Sequence, residues 1–344
     1  MKISVTQARE MLDNCQNPLF LFDDDCDGLC SYLIMWKHKK EGKGHIVKGR
    51  PMVDEKYIGK VEENLPDRIF ILDIAVVEQE FIDNAKKSGA DVVWIDHHPI
   101  LDRNNVKHFN PHYENKEKPT SQLSYEITDS KEDEWLAVTG TVSDWYCNDF
   151  VKDYAKRFPD LISPKIKTPE AALYDTKIGF LARIFSFNMK GKVSEVMKAI
   201  KTLSRISGPE EILERQSEAA KFIYKRYENV NKKYQKIFTK AMECRTDDEI
   251  LLYIYSDDEW SLTKDISNEL VYRNPDKIII IGREKSGDVK MSIRAKVHNV
   301  QQILEKSLAG IEGYGGGHEH ACGANVKKHN FDRFMENFRE ELKK

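Results

Sequence analysis

The chain has 344 residues, 40% of them hydrophobic and 32% charged, with a formal net charge of −3. That length suits two or three domains, and the composition is that of a folded globular protein, not a disordered one. The near-neutral balance excludes a global basic field, so nucleic-acid binding would have to use local patches.

No apolar stretch approaches the roughly 20 residues that a membrane helix needs. The start, Met1-Lys2-Ile3-Ser4, lacks a signal-peptide h-region. The cysteines Cys15, Cys26, Cys30, Cys147, Cys244 and Cys322 contain no CxxC pair. They are expected to be reduced thiols of a cytoplasmic protein with no membrane association.

In chain order, the apolar run 18–22 is a strand ended by acid, and 28–40 follows as a helix with Leu29, Leu33 and Trp36 on one face. Residues 68–72 form a second strand. Residues 78–88 form a helix with Phe81, Ile82 and Ala85 inward, and 90–95 is a third strand. This rhythm predicts a doubly wound α/β domain built on a parallel sheet. From Trp135 onward the pattern becomes mostly helical.

Ser207-Gly208-Pro209 is the clearest break, and a long charged helix is predicted from Glu210 to about Met242. Its basic stretch, spotted with tyrosines, could track a single-stranded backbone, although the helical spacing of Tyr227, Tyr234 and their apolar neighbours already explains most of the aromatics. An α/β pattern restarts at 250–255 and continues with strands at 277–281 and 288–297 and a helix at 300–308. Residues 282–287 read as a hairpin turn. The expected domains are therefore 1–206, a linker helix over 207–246, and a smaller α/β domain over 247–344.

Four acidic segments carry the chemistry. They are Asp23-Asp24-Asp25-Cys26-Asp27-Gly28, Asp73, Asp96-His97-His98, and Asp144 at the end of Gly140-Thr141-Val142-Ser143. Each follows an apolar run of the kind that ends a buried strand, where open α/β sheets build their sites. A single Asp in such a place is more often a helix N-cap. Four together point to divalent cations, because carboxylates suit Mg²⁺ and Mn²⁺ and an added His favours Mn²⁺. Asp23, Asp25 and Asp27 can converge on a pair of ions if the chain turns there, with Gly28 easing the turn. Gly313-Tyr314-Gly315-Gly316-Gly317-His318 is the second feature. Its amides could approach an anion, and a following helix start would add its dipole.

These motifs resemble the DHH phosphoesterase superfamily, whose name Asp96-His97-His98 spells out. The resemblance covers nearly the whole chain. It implies that Asp25 and Asp73 hold one ion and that Asp27, Asp73, His97 and Asp144 hold the other, with Asp73 shared. His98 would face the substrate or a metal-bound water, and Asp96 would orient the histidine pair. Many members carry a His where this chain has Leu21. Asp23 supplies an acid instead, as in the RecJ-type exonuclease branch.

Gly315-Gly316-Gly317-His318 and Ser292-Ile293-Arg294 resemble the DHHA1 domain of that branch. This implies phosphate contacts from Ser292, Arg294, Gly315, Gly316, Gly317 and His318. The implied activity is Mn²⁺-dependent, two-metal hydrolysis of phosphodiesters in single-stranded DNA, RNA or short oligonucleotides. The implied setting includes a replication or repair partner. A cyclic-dinucleotide phosphodiesterase and a replication scaffold without catalysis are the alternatives.

Overall fold

The computed structural model describes residues 1–49, 52–256 and 260–344. Contacts divide the chain into two compact units, Met1–Tyr227 and Glu228–Lys344.

The first unit begins α1 (Val5–Asp13), β1 (Pro18–Asp23), α2 (Cys26–Lys39), β2 (Lys43–Val47), β3 (Met52–Val53), α3 (Ile58–Asn64) and β4 (Arg68–Leu72). It continues with β5 (Val76–Val77), α4 (Gln79–Lys87), β6 (Asp91–Ile95) and β7 (Val106–Phe109). The helices α5 (Thr120–Thr128), α6 (Glu134–Ser143), α7 (Asp149–Arg157), α8 (Pro169–Tyr174), α9 (Lys177–Asn188), α10 (Val193–Leu203) and α11 (Pro209–Leu213) complete it.

Its main sheet is five-stranded, in the order β2-β1-β4-β6-β7, and every neighbouring pair is parallel. Parallel strands covered on both faces read as continuous apolar runs, and this one does. Successive side chains point to opposite faces. Leu19, Leu21, Ile69, Ile71, Val92 and Trp94 join one core cluster with Phe81, Ile82 and Ala85 of α4. On the other face Phe20 stacks on Phe70 at 5.4 Å, and Phe22 stacks on Tyr32 of α2 at 4.3 Å. Each of the three phenylalanine rings, fully buried, is worth about 1.5–3 kcal/mol. From β1 the chain runs outward to β2 and then returns to β4 on the other side. The switch point of this doubly wound sheet therefore lies between β1 and β4.

Two expectations change here. Asp144 does not follow a strand end; it is the C-cap of α6, in the stretch that reads as mostly helical. Helix α2 is buried nearly all round from Cys26 to Met35, not along one face. Strands β1, β4 and β6 and helix α4 lie where the apolar patterning put them.

Helix α12 (Glu218–Glu243) crosses the division between the units. The long helix predicted from Glu210 is broken, because α11 ends at Leu213 and Arg215 adopts a left-handed φ of 56°. Tyr227 and Tyr234 are buried, so neither is a platform for bases, and their spacing reflects packing.

The second unit holds β8 (Ile250–Ser256), α13 (Thr263–Arg273), β9 (Ile278–Lys285), β10 (Asp288–Arg294) and α14 (Val300–Ser307). It closes with β11 (Gly313–His318), β12 (Ala321–Lys327) and α15 (Phe331–Leu342). Its mixed sheet runs β11-β12-β10-β9-β8. Met291, Ile293, Cys322, Ala324 and Val326 on one face pack with Leu304 of α14 and with Phe334 and Phe338 of α15. The β9–β10 hairpin turns through Ser286 (φ 53°) and Gly287 (φ 80°), the double positive φ that matches strand twist.

All six cysteines are free thiols. Among the described residues no helix is long and apolar enough to cross a membrane.

Candidate metal centre

The sheet register places the first acids side by side. Phe22 pairs with Leu72 and Leu72 with Ile95. Asp23 therefore ends β1 beside Asp73, which follows β4, and Asp96 follows β6 next to it. Asp73 sits in the left-handed region at φ 59°, which Asp tolerates better than most residues. Its N–H donates to the Ile95 carbonyl at 3.1 Å, and that of Asp96 to the Phe109 carbonyl at 3.1 Å. These bonds hold both turns to the strand ends.

Helix α2 supplies the next acids. Asp25 is its N-cap, accepting from the Gly28 N–H at 3.1 Å, and Asp27 lies in its first turn. Negative charge is favoured at that end of a helix. Capping thus leaves Asp25 among the clustered acids. Gly28 has a different purpose from the expected sharp turn. A Cβ there would come within 2.9 Å of both the backbone N and O of Asp23, so glycine lets α2 press against the end of β1.

Asp27 is 1% exposed and is gripped by the start of α5. It accepts from the Thr120 N–H at 2.7 Å and the Ser121 N–H at 3.1 Å. The Thr120 hydroxyl donates to Asp73 Oδ1 at 3.2 Å. Helix α6 closes in through Gly140, where a Cβ would meet Ser121 Oγ at 2.4 Å and Asp27 Oδ1 at 3.0 Å. That approach brings Asp144 to the cluster from the negative end of a helix.

His97 completes it, with Nε2 at 3.3 Å from Asp73 Oδ1 and 3.6 Å from Asp144 Oδ2. Asp96 does not steady both histidines. Its carboxylate takes the His98 ring at 2.8 Å and the His98 N–H at 3.0 Å. His97 is steadied through its carbonyl, which receives His112 Nε2 at 2.8 Å. Asn110 binds the His98 carbonyl at 2.9 Å and accepts from the His112 N–H at 2.9 Å.

Three groups of ligand-type atoms result, each within 4.8 Å: Asp23, Asp25 and Asp73; Asp27, His97 and Asp144; and Asp73, His97 and His98. All six residues expected as ligands are brought together, with Asp73 common to two groups. Leu21 is buried in the core, and Asp23 is the acid that stands with Asp25 and Asp73.

The electrostatics fit divalent cations. Burial, then Asp25 and Asp73, push the Asp23 carboxyl up to about 9. Burial and Asp27 push Asp144 to about 8. Burial and Asp73 push Asp27 to about 6. Asp73 is raised by burial and Asp25. Burial works against a charged His97, but Asp73, Asp27 and Asp144 outweigh it and hold the ring at about 10. His98 is held at about 9 against burial, chiefly by Asp96. So many repelling carboxylates in one buried place are relieved by positive charge, and carboxylate with imidazole is a donor set for Mn²⁺ or Mg²⁺.

The glycine-rich segment is not the expected loop. It is the exposed edge strand β11, and it is followed by β12 instead of a helix, so no helix dipole is added. The register aligns Arg294, Ala321 and His318 across β10, β12 and β11, and Ser292, Gly323 and Gly316 two residues along. Opposed residues share a face. That face is open at Gly316, where an added Cβ would meet nothing within 4 Å. Gly315 and Gly317 alternate to the other face. Arg294 is anchored by Asn268 Oδ1 at 2.7 Å and by the Cys322 carbonyl at 3.0 Å, while Ser292 meets Thr263 Oγ1 at 3.1 Å.

Sequence reasoning missed Thr120, Ser121, Asn110 and His112. Pro119-Thr120-Ser121 marks a helix start and Asn110-Pro111 a turn, but neither pattern names its distant acceptor.

The DHH family N-terminal domain model matches residues 19–144, and the DHHA1 domain model matches residues 248–344. Among curated proteins no sequence matches the chain. RecJ from Thermus thermophilus, solved in complex with Mn²⁺, is 14% identical with a TM-score of 0.71. The match covers 99% of this chain and 55% of that one, so the chain spans about half the length of that relative. CDC45 from Entamoeba histolytica is 10% identical with a TM-score of 0.57 over 100% of both chains. The pGpG-specific phosphodiesterase PggH from Vibrio cholerae is 15% identical with a TM-score of 0.53, covering 95% of this chain and 99% of that one. These likenesses concern the fold; the domain models and the motif residues carry the family. The chain belongs to the DHH phosphoesterase superfamily, RecJ-like in fold, with a DHH domain followed by a DHHA1 domain.

Proposed function

We propose that the protein is a metal-dependent phosphodiesterase that hydrolyses single-stranded nucleic acid or short oligonucleotides from an end. The observation that carries this reading is the convergence of Asp23, Asp25, Asp27, Asp73, His97 and Asp144 at the switch point of the sheet. One cation would be held by Asp23, Asp25 and Asp73, and another by Asp27, His97 and Asp144, with Asp73 reaching toward both. When bound, such cations supply Lewis acidity toward phosphoryl oxygens and acidify water.

The chain's own residues do the rest. Asp96 fixes the His98 ring through Nδ1, which leaves the other ring nitrogen to hold or donate a proton at a substrate oxygen. Asn110 and His112 fix the backbone of both histidines, so the rings need little reordering when substrate arrives. In the DHHA1 domain, Arg294 and His318 flank Ala321 on one sheet face, and the Gly316 backbone is open beside them. Arginine suits phosphate through its forked donors, and the bare glycine edge lets a phosphate approach the amides. These residues would hold a substrate phosphate through its non-bridging oxygens.

Mn²⁺ is the proposed metal, Mg²⁺ its substitute, and a nucleic-acid strand the proposed partner. The likeness to CDC45 adds a replication setting to the reading. The complete acidic set argues against a scaffold without catalysis, because unneutralised buried carboxylates are costly. Cyclic dinucleotides are the competing substrate.

The test is hydrolysis of end-labelled single strands and of a cyclic dinucleotide, each with Mn²⁺, by the wild type and by Asp73→Ala. Mn²⁺-dependent shortening of the strand that disappears in Asp73→Ala supports the reading. Cleavage of the cyclic dinucleotide alone, or full activity in Asp73→Ala, overturns it.

A further inference from the structure

Helix α6 does not end at Asp144 in the usual way. The Trp145 N–H donates to the Val142 carbonyl at 3.2 Å, and the Tyr146 N–H to the Thr141 carbonyl at 3.1 Å. This pair of bonds is a Schellman ending, in which the residue after the cap turns left-handed and is usually glycine. Here that residue is Trp145, at φ 63°. Among the described residues nine that are not glycine have positive φ, and Trp145 is the one aromatic. A bulky side chain in this region is uncommon and marks a place where conformation is set by something other than local preference.

The side chain is not hidden in the core. Trp145 is partly exposed, as are Tyr174 and Arg183. The indole meets the Tyr174 ring edge-on, centroids 6.2 Å apart at 75°, and the Arg183 guanidinium lies 5.9 Å from the centre of the Tyr174 ring. Indole, phenol and guanidinium thus form a chain of aromatic and cation–π contacts. Consecutive Cα atoms are about 3.8 Å apart, so Trp145 starts next to Asp144, whose carboxylate belongs to the metal centre. The indole and the Asp144 carboxylate are thus carried by consecutive residues at one helix end. The left-handed φ of Trp145 ends the α6 spiral at this residue.

We propose that Trp145, backed by Tyr174 and Arg183, is a stacking platform for the base of the nucleotide bound at the metal centre. This rests on the phosphodiesterase reading and deepens it. Stacking is sequence-tolerant because every base has a π-face. The platform would therefore distinguish base-bearing from base-free phosphodiesters more than one base from another.

The test is equilibrium binding in Ca²⁺ of a thymidylate pentamer and an abasic pentamer, with wild type, Trp145→Phe, Trp145→Ala and Trp145→Gly, alongside thermal unfolding. The expected result is at least about fivefold weaker binding of the thymidylate strand by the Ala and Gly variants, with Phe restoring most of it. Binding of the abasic strand should be unchanged. Trp145→Gly should unfold no earlier than wild type, because glycine suits φ 63°. A residue with only a structural role would not separate binding from stability in this way. Equal weakening for both strands, or unchanged thymidylate binding in Trp145→Gly, overturns the platform. If the wild type binds neither strand, both this inference and the phosphodiesterase reading fall. If it binds thymidylate through Trp145 but never cleaves it with Mn²⁺, the platform stands and the hydrolytic reading falls.

Discussion

Asp144→Asn offers the sharpest check on the electrostatics of the proposed metal centre. In the metal-free protein, burial and Asp27 hold Asp144 at about 8, against an ordinary value near 3.9. Between these two values the folded state carries a proton that the unfolded state has lost. Stability therefore falls as pH rises through that window, by at most about 1.4 kcal/mol per pH unit for this group, and levels off above the folded value. Asparagine keeps the shape and removes this dependence.

The ideal gain at pH 8 would be several kcal/mol. The Asp144 side chain is 28% exposed and also supports His97, so water entry and the lost partner reduce the gain to about 1–2 kcal/mol. For a domain of this size that is roughly 2–8 °C in thermal midpoint. The assay is thermal unfolding in chelator from pH 5 to pH 9. Asp144→Asn should be the more stable protein at pH 8, with a margin that shrinks toward pH 5. Adding Mn²⁺ should reverse the order, because a ligand at a hundred times its Kd adds about 2.7 kcal/mol to the wild type and less to a variant lacking one donor. A variant less stable than wild type at pH 8 in chelator, or a margin independent of pH, would refute the account of Asp144.

Other expectations follow from the same contacts. The stabilisation from His97, raised to about 10, is complete below its ordinary value near 6.5 and is lost as pH rises to the folded value. Chelator should therefore lower the midpoint of the wild type more at pH 9 than at pH 6, as scanning calorimetry would show. Gly140→Ala forces a methyl group to 2.4 Å from Ser121 Oγ and 3.0 Å from Asp27 Oδ1. It should cost about 1–3 kcal/mol and weaken Mn²⁺ binding, read by unfolding and metal titration; unchanged affinity would separate α6 from the centre. Trp94→Phe removes the indole hydrogen bond to the Ile74 carbonyl at 2.8 Å and should cost about 1–2 kcal/mol in denaturant unfolding. Arg294→Lys cannot reproduce the contacts to Asn268 and to the Cys322 carbonyl. It should raise KM for the cleaved strand while leaving kcat within a few-fold.

The sequence determined the strands β1, β4 and β6 and the acids that end or follow them. Fully buried parallel strands are short continuous apolar runs, and an acid just beyond one is conspicuous. Asp96-His97-His98 and the spaced aspartates from Asp23 to Asp27 could therefore be read without coordinates.

Tertiary structure decided what apolar patterning cannot. The run from Trp135 to Val142 reads as helical but is buried all round, and only packing revealed that its end brings Asp144 to the other acids. The glycines at 313–317 have no intrinsic preference between loop and strand, and pairing with β12 made them an edge strand. Gly28 and Gly140 are required by close approach between elements distant in sequence. The grip of Thr120 and Ser121 on Asp27 spans more than ninety residues. Local propensity describes a residue and its near neighbours, whereas a metal centre depends on which strand ends and helix ends the fold brings into contact.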